Sequence, residues 1–208
     1  MAERHPFVLL DDARESGAAD ALLFENPRQV FVAHRPEQVE QVLADAEDVR
    51  RAGGELAGYV AYEAGLALEE KLRPRAEARS GGTGPLVWLG MFDAPARIPA
   101  ADVPQWLATH AQGSGSVGPF DPQISPGGYA KAFGALQEAI RAGDIYQANL
   151  TFPLAGNFTG DPLGLYAALR PAAQAGYGGV IFDGSHWLLS LSPELFVSLK
   201  GREAKAKP

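Results

Sequence analysis

The chain contains no cysteine. That excludes disulfides, thiolate catalysis and zinc ribbons together, and it fits a reducing compartment. No apolar run approaches the roughly 18 residues that a bilayer-spanning helix needs, and the N-terminus lacks a basic-then-apolar signal. A soluble, cytoplasmic protein with no membrane partner is expected. Positive charge is scarce: 18 Lys and Arg stand against 25 Asp and Glu, a net charge of −7. Non-specific nucleic-acid binding needs a basic face to displace counterions, so no nucleic-acid partner is expected. His5, His34, His110 and His186 lie far apart without ligand spacing, and no metal ligand is assigned. Arg79-Ser80-Gly81-Gly82-Thr83-Gly84 lacks the lysine of a phosphate loop and precedes a strand where a helix is required, so it reads as a flexible turn.

What is present is apolar: 46% of 208 residues, enough to bury a core as one large or two small domains. Residues 6–11 and 29–34 read as strands separated by a loop containing Gly17 and Pro27. A helix should start at Pro36, turn Val39, Val42, Leu43, Ala46 and Val49 inward, and end near Gly53-Gly54. A strand over Glu55 to Tyr62, a helix over Ala64 to Leu72 closed by Pro74, an exposed connection from Arg73 and a strand over Leu86 to Phe92 follow. Residues 96–122, rich in proline and glycine, read as a linker between an N-terminal α+β region, 1–95, and a second region, 123–208.

Ser125-Pro126 has the form of a cap followed by a first-turn proline, and Tyr129, Phe133, Leu136 and Ile140 then repeat at helical spacing until Gly143. Beyond it, Gly143-Asp144-Ile145-Tyr146-Gln147-Ala148-Asn149-Leu150-Thr151-Phe152 alternates with a period of two, which predicts a half-buried strand. Its polar face carries amides and a hydroxyl but no charge, which suits either a polar interior or ligand, or an ordinary partly exposed strand. A helix from Asp161-Pro162 to Leu169 and two hairpins, turning at Asp183-Gly184-Ser185 and at Lys200-Gly201, complete the chain. Between the hairpins lies Ser192-Pro193-Glu194. Pro193 cannot donate to a ladder, so Glu194 falls at a break or strand start, where a side chain can be aimed into a cavity or simply face solvent.

The Gly-Asp-Ile-Tyr-Gln-x-Asn-Leu-Thr wording, with Ser192-Pro193-Glu194-Leu195-Phe196 downstream, resembles the chorismate-utilising enzymes that include component I of aminodeoxychorismate synthase and of anthranilate synthase. Phe7-Val8-Leu9-Leu10-Asp11-Asp12, Ala57 to Gly65 and Pro85 to Asp93 extend the resemblance over nearly all of the chain, and the aminodeoxychorismate branch fits best. The resemblance is to the N-terminal half of longer proteins.

That resemblance implies a fold, an activity and partners. The fold is α+β, mostly antiparallel sheets packed as a sandwich with outer helices, with residues 123–208 the start of an incomplete catalytic region. The activity is amination of chorismate to 4-amino-4-deoxychorismate on the route to p-aminobenzoate and folate, with ammonia from a glutamine amidotransferase subunit. The alternatives are anthranilate synthase component I and a non-catalytic module that binds an amino acid or a partner.

The same resemblance makes Glu194 a catalytic acid. It places the lysine nucleophile of a Pro-x-Lys-Gly-Thr motif, and the glutamates that hold magnesium in the full-length parent, beyond Pro208; Lys205 and Lys207 do not match that lysine. The 208 residues alone are therefore expected to be inactive and to need partner strands at the last hairpin. It also implies a tryptophan-type pocket near Asp12 and Tyr177, although the serine position is Asp12 and the prolines before Tyr177 are absent.

Overall fold

The structure, a computed structural model, describes residues 4–79 and 84–207. Residues 80–83 of the expected glycine-rich turn, and Pro208, lie outside the described residues. Strand β1 (Phe7–Asp11) is the reason the molecule is layered, because its residues Phe7 to Leu9 are buried on both faces. Successive strand side chains point to opposite sides, so Phe7 and Leu9 enter one core and Val8 another. On either side of β1, in a five-stranded antiparallel sheet, lie β2 (Ala21–Glu25) and, from the far end of the chain, β11 (Tyr177–Phe182). β6 (Ala96–Ile98) and β12 (Trp187–Ser192) form its edges.

A second, three-stranded sheet is built from β3 (Gln29–Ala33), β5 (Val87–Phe92) and β4 (Glu55–Val60), in that order and antiparallel throughout. Val8 and Phe24 of the larger sheet pack against Ala57, Trp88 and Phe92 of the smaller one, which makes the sandwich. The outer face of the small sheet presents Ala33 and Val87 to α1 (Val39–Arg51) and α2 (Ala64–Leu68), through Val39, Ala64 and Ala67. The outer face of the large sheet presents Phe7, Leu9, Leu23 and Val180 to α4 (Val103–His110) and α6 (Pro162–Ala173). The result is an α+β fold of four layers, two sheets between two sets of helices.

Three expectations change before residue 123. The stretch 12–28 is not all loop, since Ala21–Glu25 forms β2; a five-residue apolar run is short enough to be overlooked beside Gly17 and Pro27. Pro74 does not close a helix. It occupies the first turn of α3 (Arg73–Arg79), where the missing N–H has no bond to lose. The segment 96–122 is no linker: it supplies β6 and α4, and Val103 and Leu107 of α4 are fully buried. Its prolines mark element starts, Pro99 before a short 3-10 turn and Pro104 in the first turn of α4. The pairing of β1 with β11 places residues of 1–95 and of 123–208 in one sheet.

Two small ladders follow α4. β7 (Gly115–Val117) pairs with β10 (Phe158–Gly160), and β8 (Asp121–Pro122) pairs with β9 (Leu154–Ala155). Between them runs α5 (Pro126–Ala142), capped as the sequence predicts. Gly128 donates its N–H to Ser125 Oγ at 3.1 Å, and Gly143 ends the helix at φ 80°, a left-handed conformation that glycine adopts without penalty.

No residue of α5 is buried. Tyr129, Phe133 and Ile140 are exposed, with Phe152 against Tyr129 at 5.8 Å. The strand predicted around Tyr146 is absent: residues 145–153 form no ladder, and Tyr146 is 93% exposed. Alternation shows which face of a strand would be buried but supplies no partner strand for its backbone, and residues 145–152 pair with none among the described residues. The final hairpin, β13 (Leu195–Lys200) with β14 (Glu203–Lys207), forms as predicted but as a separate two-stranded sheet. Phe196 and Leu199 on it are 92% and 75% exposed.

Candidate functional site

The register of the large sheet gathers the sequence-predicted site residues at one end. Asp11, the last residue of β1, pairs with Gly178, and the neighbouring Tyr177 pairs with Ser192. Asp12, Tyr177 and the Ser192-Pro193-Glu194 turn are therefore carried on three adjacent strands or just beyond their ends.

The floor of this end is a buried charged cluster. Arg170 of α6 donates through Nε and Nη2 to both oxygens of Asp11, at 2.7 and 2.9 Å, and through Nη2 to the Asp12 carbonyl at 3.2 Å. Tyr166, one helical turn earlier and fully buried, donates its hydroxyl to Asp11 Oδ2 at 2.9 Å. The Asp11 side chain is 1% exposed, so its charge is tolerated only because the forked guanidinium and the hydroxyl saturate it. Burial, and then the Asp11 charge, pushes the Tyr166 hydroxyl well above the usual phenol range, so it acts as a fixed donor. The bond from Asp11 raises Arg170 in turn. Gly178 makes the approach possible, since a Cβ there would stand 2.8 Å from the Tyr166 oxygen.

Asp12 is buried as well, with a different partner. Arg14 Nε donates to its Oδ1 at 2.8 Å, and the Ala19 N–H donates to Oδ2 at 2.9 Å. The Arg14 bond holds the Asp12 carboxyl down at about 2, against the opposing effect of burial. Arg14 runs beside Gly176, next to Tyr177, which is 38% exposed. Asp12 and Tyr177 are thus brought to the same sheet end, with the Asp12 carboxylate already engaged by an internal cation.

Glu194 sits in the turn between β12 and β13 and is exposed. Its backbone is tied to Ser192: the Glu194 N–H donates to Ser192 Oγ at 3.2 Å, and Ser192 Oγ donates to the Glu194 carbonyl at 3.1 Å. No hydrogen bond reaches the Glu194 carboxylate among the described residues. Lys205 is exposed on β14, opposite Ser198.

One cluster involves none of the residues to which the sequence points. Asp183, whose side chain is 2% exposed, accepts from the N–H groups of Ser185 and His186 at 2.8 and 2.6 Å and from Tyr59 Oη at 2.9 Å; His186 Nδ1 lies 3.1 Å away. Burial would raise the Asp183 carboxyl, and the bonds from His186, Ser185 and Tyr59 outweigh it, leaving it below the usual range. The Asp-Gly-Ser turn was legible in sequence, but the partner Tyr59, 124 residues away on the other sheet, was not. A cavity of about 270 Å³ opens at the end of the large sheet opposite Asp11, the end that also carries the Asp183 turn; it is lined by Arg4, His5, Phe7, Glu25, Trp106 and His110 among others, and by none of Asp11, Asp12, Tyr177, Asp183 or Glu194. No group of three or more His, Asp or Glu side chains among the described residues could hold a metal ion, so no donor set here fits the magnesium that the resemblance implies. No helix among the described residues is long and apolar enough to cross a membrane.

Comparison with known proteins agrees with the motifs. A family model described as chorismate binding enzyme matches residues 5–208. The chain is 35% identical over 89 residues to anthranilate synthase component 1 of Thermus thermophilus, which covers 43% of this chain and 19% of that protein. It is 26% identical over 93 residues to aminodeoxychorismate synthase component 1 of Bacillus subtilis, 45% of this chain and 20% of that protein. It is 30% identical over 80 residues to the enzyme of that name from Escherichia coli, 38% of this chain and 18% of that protein. Each match spans a fifth or less of the relative's own length. The chain belongs to the chorismate-binding enzyme family.

Proposed function

We propose that this chain is part of an enzyme that aminates chorismate to 4-amino-4-deoxychorismate in the cytoplasm, on the route to p-aminobenzoate and folate. Ammonia comes from a glutamine amidotransferase partner. Glu194 is the acid that protonates the departing ring hydroxyl. The observation that carries the reading is the Ser192-Pro193-Glu194 turn, set at the end of the same sheet that holds Asp11 and Tyr177, in a chain matched by the family model from residue 5 onward. A carboxylic acid that donates a proton near neutral pH needs a buried or negatively charged setting. Glu194 is exposed. The exposed apolar faces of α5 and of the β13–β14 hairpin are where further polypeptide would pack, closing a pocket over that carboxylate and supplying the magnesium ligands and the lysine.

A second reading, formation of anthranilate, is favoured by the likeness to the Thermus thermophilus protein of that activity. One assay separates the readings. The purified chain is incubated with chorismate, ammonium and magnesium, alone, with the C-terminal part of the Bacillus subtilis relative and with that of the Thermus thermophilus relative, and products are separated by chromatography with fluorescence detection. The chain alone should leave chorismate intact, and the pair with the Bacillus subtilis part should turn over, forming aminodeoxychorismate. Turnover only with the Thermus thermophilus part, giving fluorescent anthranilate, would establish the second reading. A complemented pair that consumes no chorismate, although it associates, would reduce this chain to a binding module.

A further inference from the structure

We propose that Ser192 is the positioning residue for Glu194, its hydroxyl fixing the stretch of backbone from which the carboxylate projects. The inference rests on Glu194 acting as the acid. β12 ends at Ser192 and β13 begins at Leu195, so the chain leaves the five-stranded sheet and enters a separate hairpin within Pro193 and Glu194. A change of sheet leaves backbone groups without ladder partners. Pro193 has no N–H to offer, holds its own φ and keeps the residue before it extended. The N–H and carbonyl of Glu194 have no backbone partner among the described residues, and both are met by one side-chain atom, Ser192 Oγ, at 3.2 and 3.1 Å.

A hydroxyl can do this because it accepts and donates at once. With both peptide groups of Glu194 bound to the same oxygen, the planes on either side of its Cα are held, and with them the direction of the Cα–Cβ bond. Alanine offers neither function. Aspartate would accept from the N–H, could not donate to the carbonyl, and would set a second negative charge beside Glu194. Threonine keeps both functions. The pairing of Ser192 with Tyr177 across β11 and β12 anchors the hydroxyl's own residue in the ladder, so the turn is referred to the rigid sheet and not to the hairpin beyond it.

The test uses Ser192→Ala, Ser192→Thr and Glu194→Gln in the 208-residue chain. In Ser192→Ala, hydrogen exchange of the Glu194 amide should rise roughly fivefold, the effect of one hydrogen bond of ordinary net worth. Its side-chain couplings should average, while amides of β11 and β12 keep their protection, and Ser192→Thr should restore both. In the complemented assay, Ser192→Ala should lower kcat with KM unchanged. Unaltered Glu194 exchange in Ser192→Ala, or failure of Ser192→Thr to restore it, overturns the proposal. Full turnover by Glu194→Gln removes the acid role and the proposal with it, and is told apart because the amide readout still follows the hydroxyl.

Discussion

Arg170 grips both carboxylate oxygens of Asp11 across 159 residues of sequence, at 2.7 and 2.9 Å, and so ties α6 to the end of β1. A buried pair of this kind contributes little over an apolar replacement of both partners, but removing one leaves an unpaired buried charge. Arg170→Met should therefore destabilise the chain by about 3–5 kcal/mol, and Asp11→Asn combined with it by distinctly less. Denaturant unfolding of the two single variants and the double variant measures the difference. A loss in the double variant equal to the sum of the two single losses would show that the pair is not coupled.

Asp12 gives the fold a pH dependence whose sign is fixed by its partner. Its carboxyl is held down at about 2 by Arg14, below an unfolded value of about 3.9. A depressed carboxylate contributes stability that is fully present above the unfolded value and is lost as pH falls through the folded one. Arg14 is half exposed, which screens the pair, so the contribution is about 1–2 kcal/mol. Asp12→Asn should be less stable than the parent by that amount at neutral pH, and the gap should close between about pH 4 and pH 2. Urea melts across that range test it, and a gap independent of pH would refute it.

Two glycines in helices should respond to alanine with opposite signs. Gly164, in the first turn of α6, lies so close to the Gly113 carbonyl that a Cβ would overlap it, whereas Gly134 in α5 has nothing within 4 Å. Alanine is the better helix former by about 1 kcal/mol, so Gly134→Ala should stabilise by up to that amount. Gly164→Ala should destabilise by about 1–3 kcal/mol, because relieving the overlap moves α6 off β7. Thermal melts of the two variants decide, and a stabilising Gly164→Ala would mean that the contact yields freely.

The parts of the fold legible in sequence are those whose causes are local. Ser125 and Gly143 bound α5 because a cap and a left-handed terminus are properties of single residues. The turn at Asp183-Gly184-Ser185 between β11 and β12 was visible for the same reason. The Tyr146 segment failed because a strand is completed only by a neighbour, and its alternation was real without one. Arg170 and Tyr59 were missed because each acts on a carboxylate more than 100 residues away, which no spacing reveals. At the candidate site, the order of motifs pointed to Glu194, Asp12 and Tyr177, but only the β1–β11–β12 register places them at one sheet end. Arg14, two residues from Asp12, was within local reach and was overlooked because an adjacent Asp and Arg on a loop are usually solvated.

The prolines of 96–122 misled for a physical reason that also makes the segment testable. Proline is disfavoured in helix interiors but suits a first turn, so Pro99 and Pro104 start elements as readily as they break them. α4 buries Leu107 completely against Leu9 and Leu163, in the core between the large sheet and α6. Truncating a fully buried leucine costs its transfer free energy plus that of the cavity left behind. Leu107→Ala should therefore destabilise by about 2–5 kcal/mol, where the same change in a true linker would be neutral within about 0.5 kcal/mol. Trp106, on the same helix and in edge contact with Phe7 at 6.4 Å, gives a fluorescence signal for the transition. A Leu107→Ala midpoint equal to that of the parent would return residues 96–122 to the status of a tether.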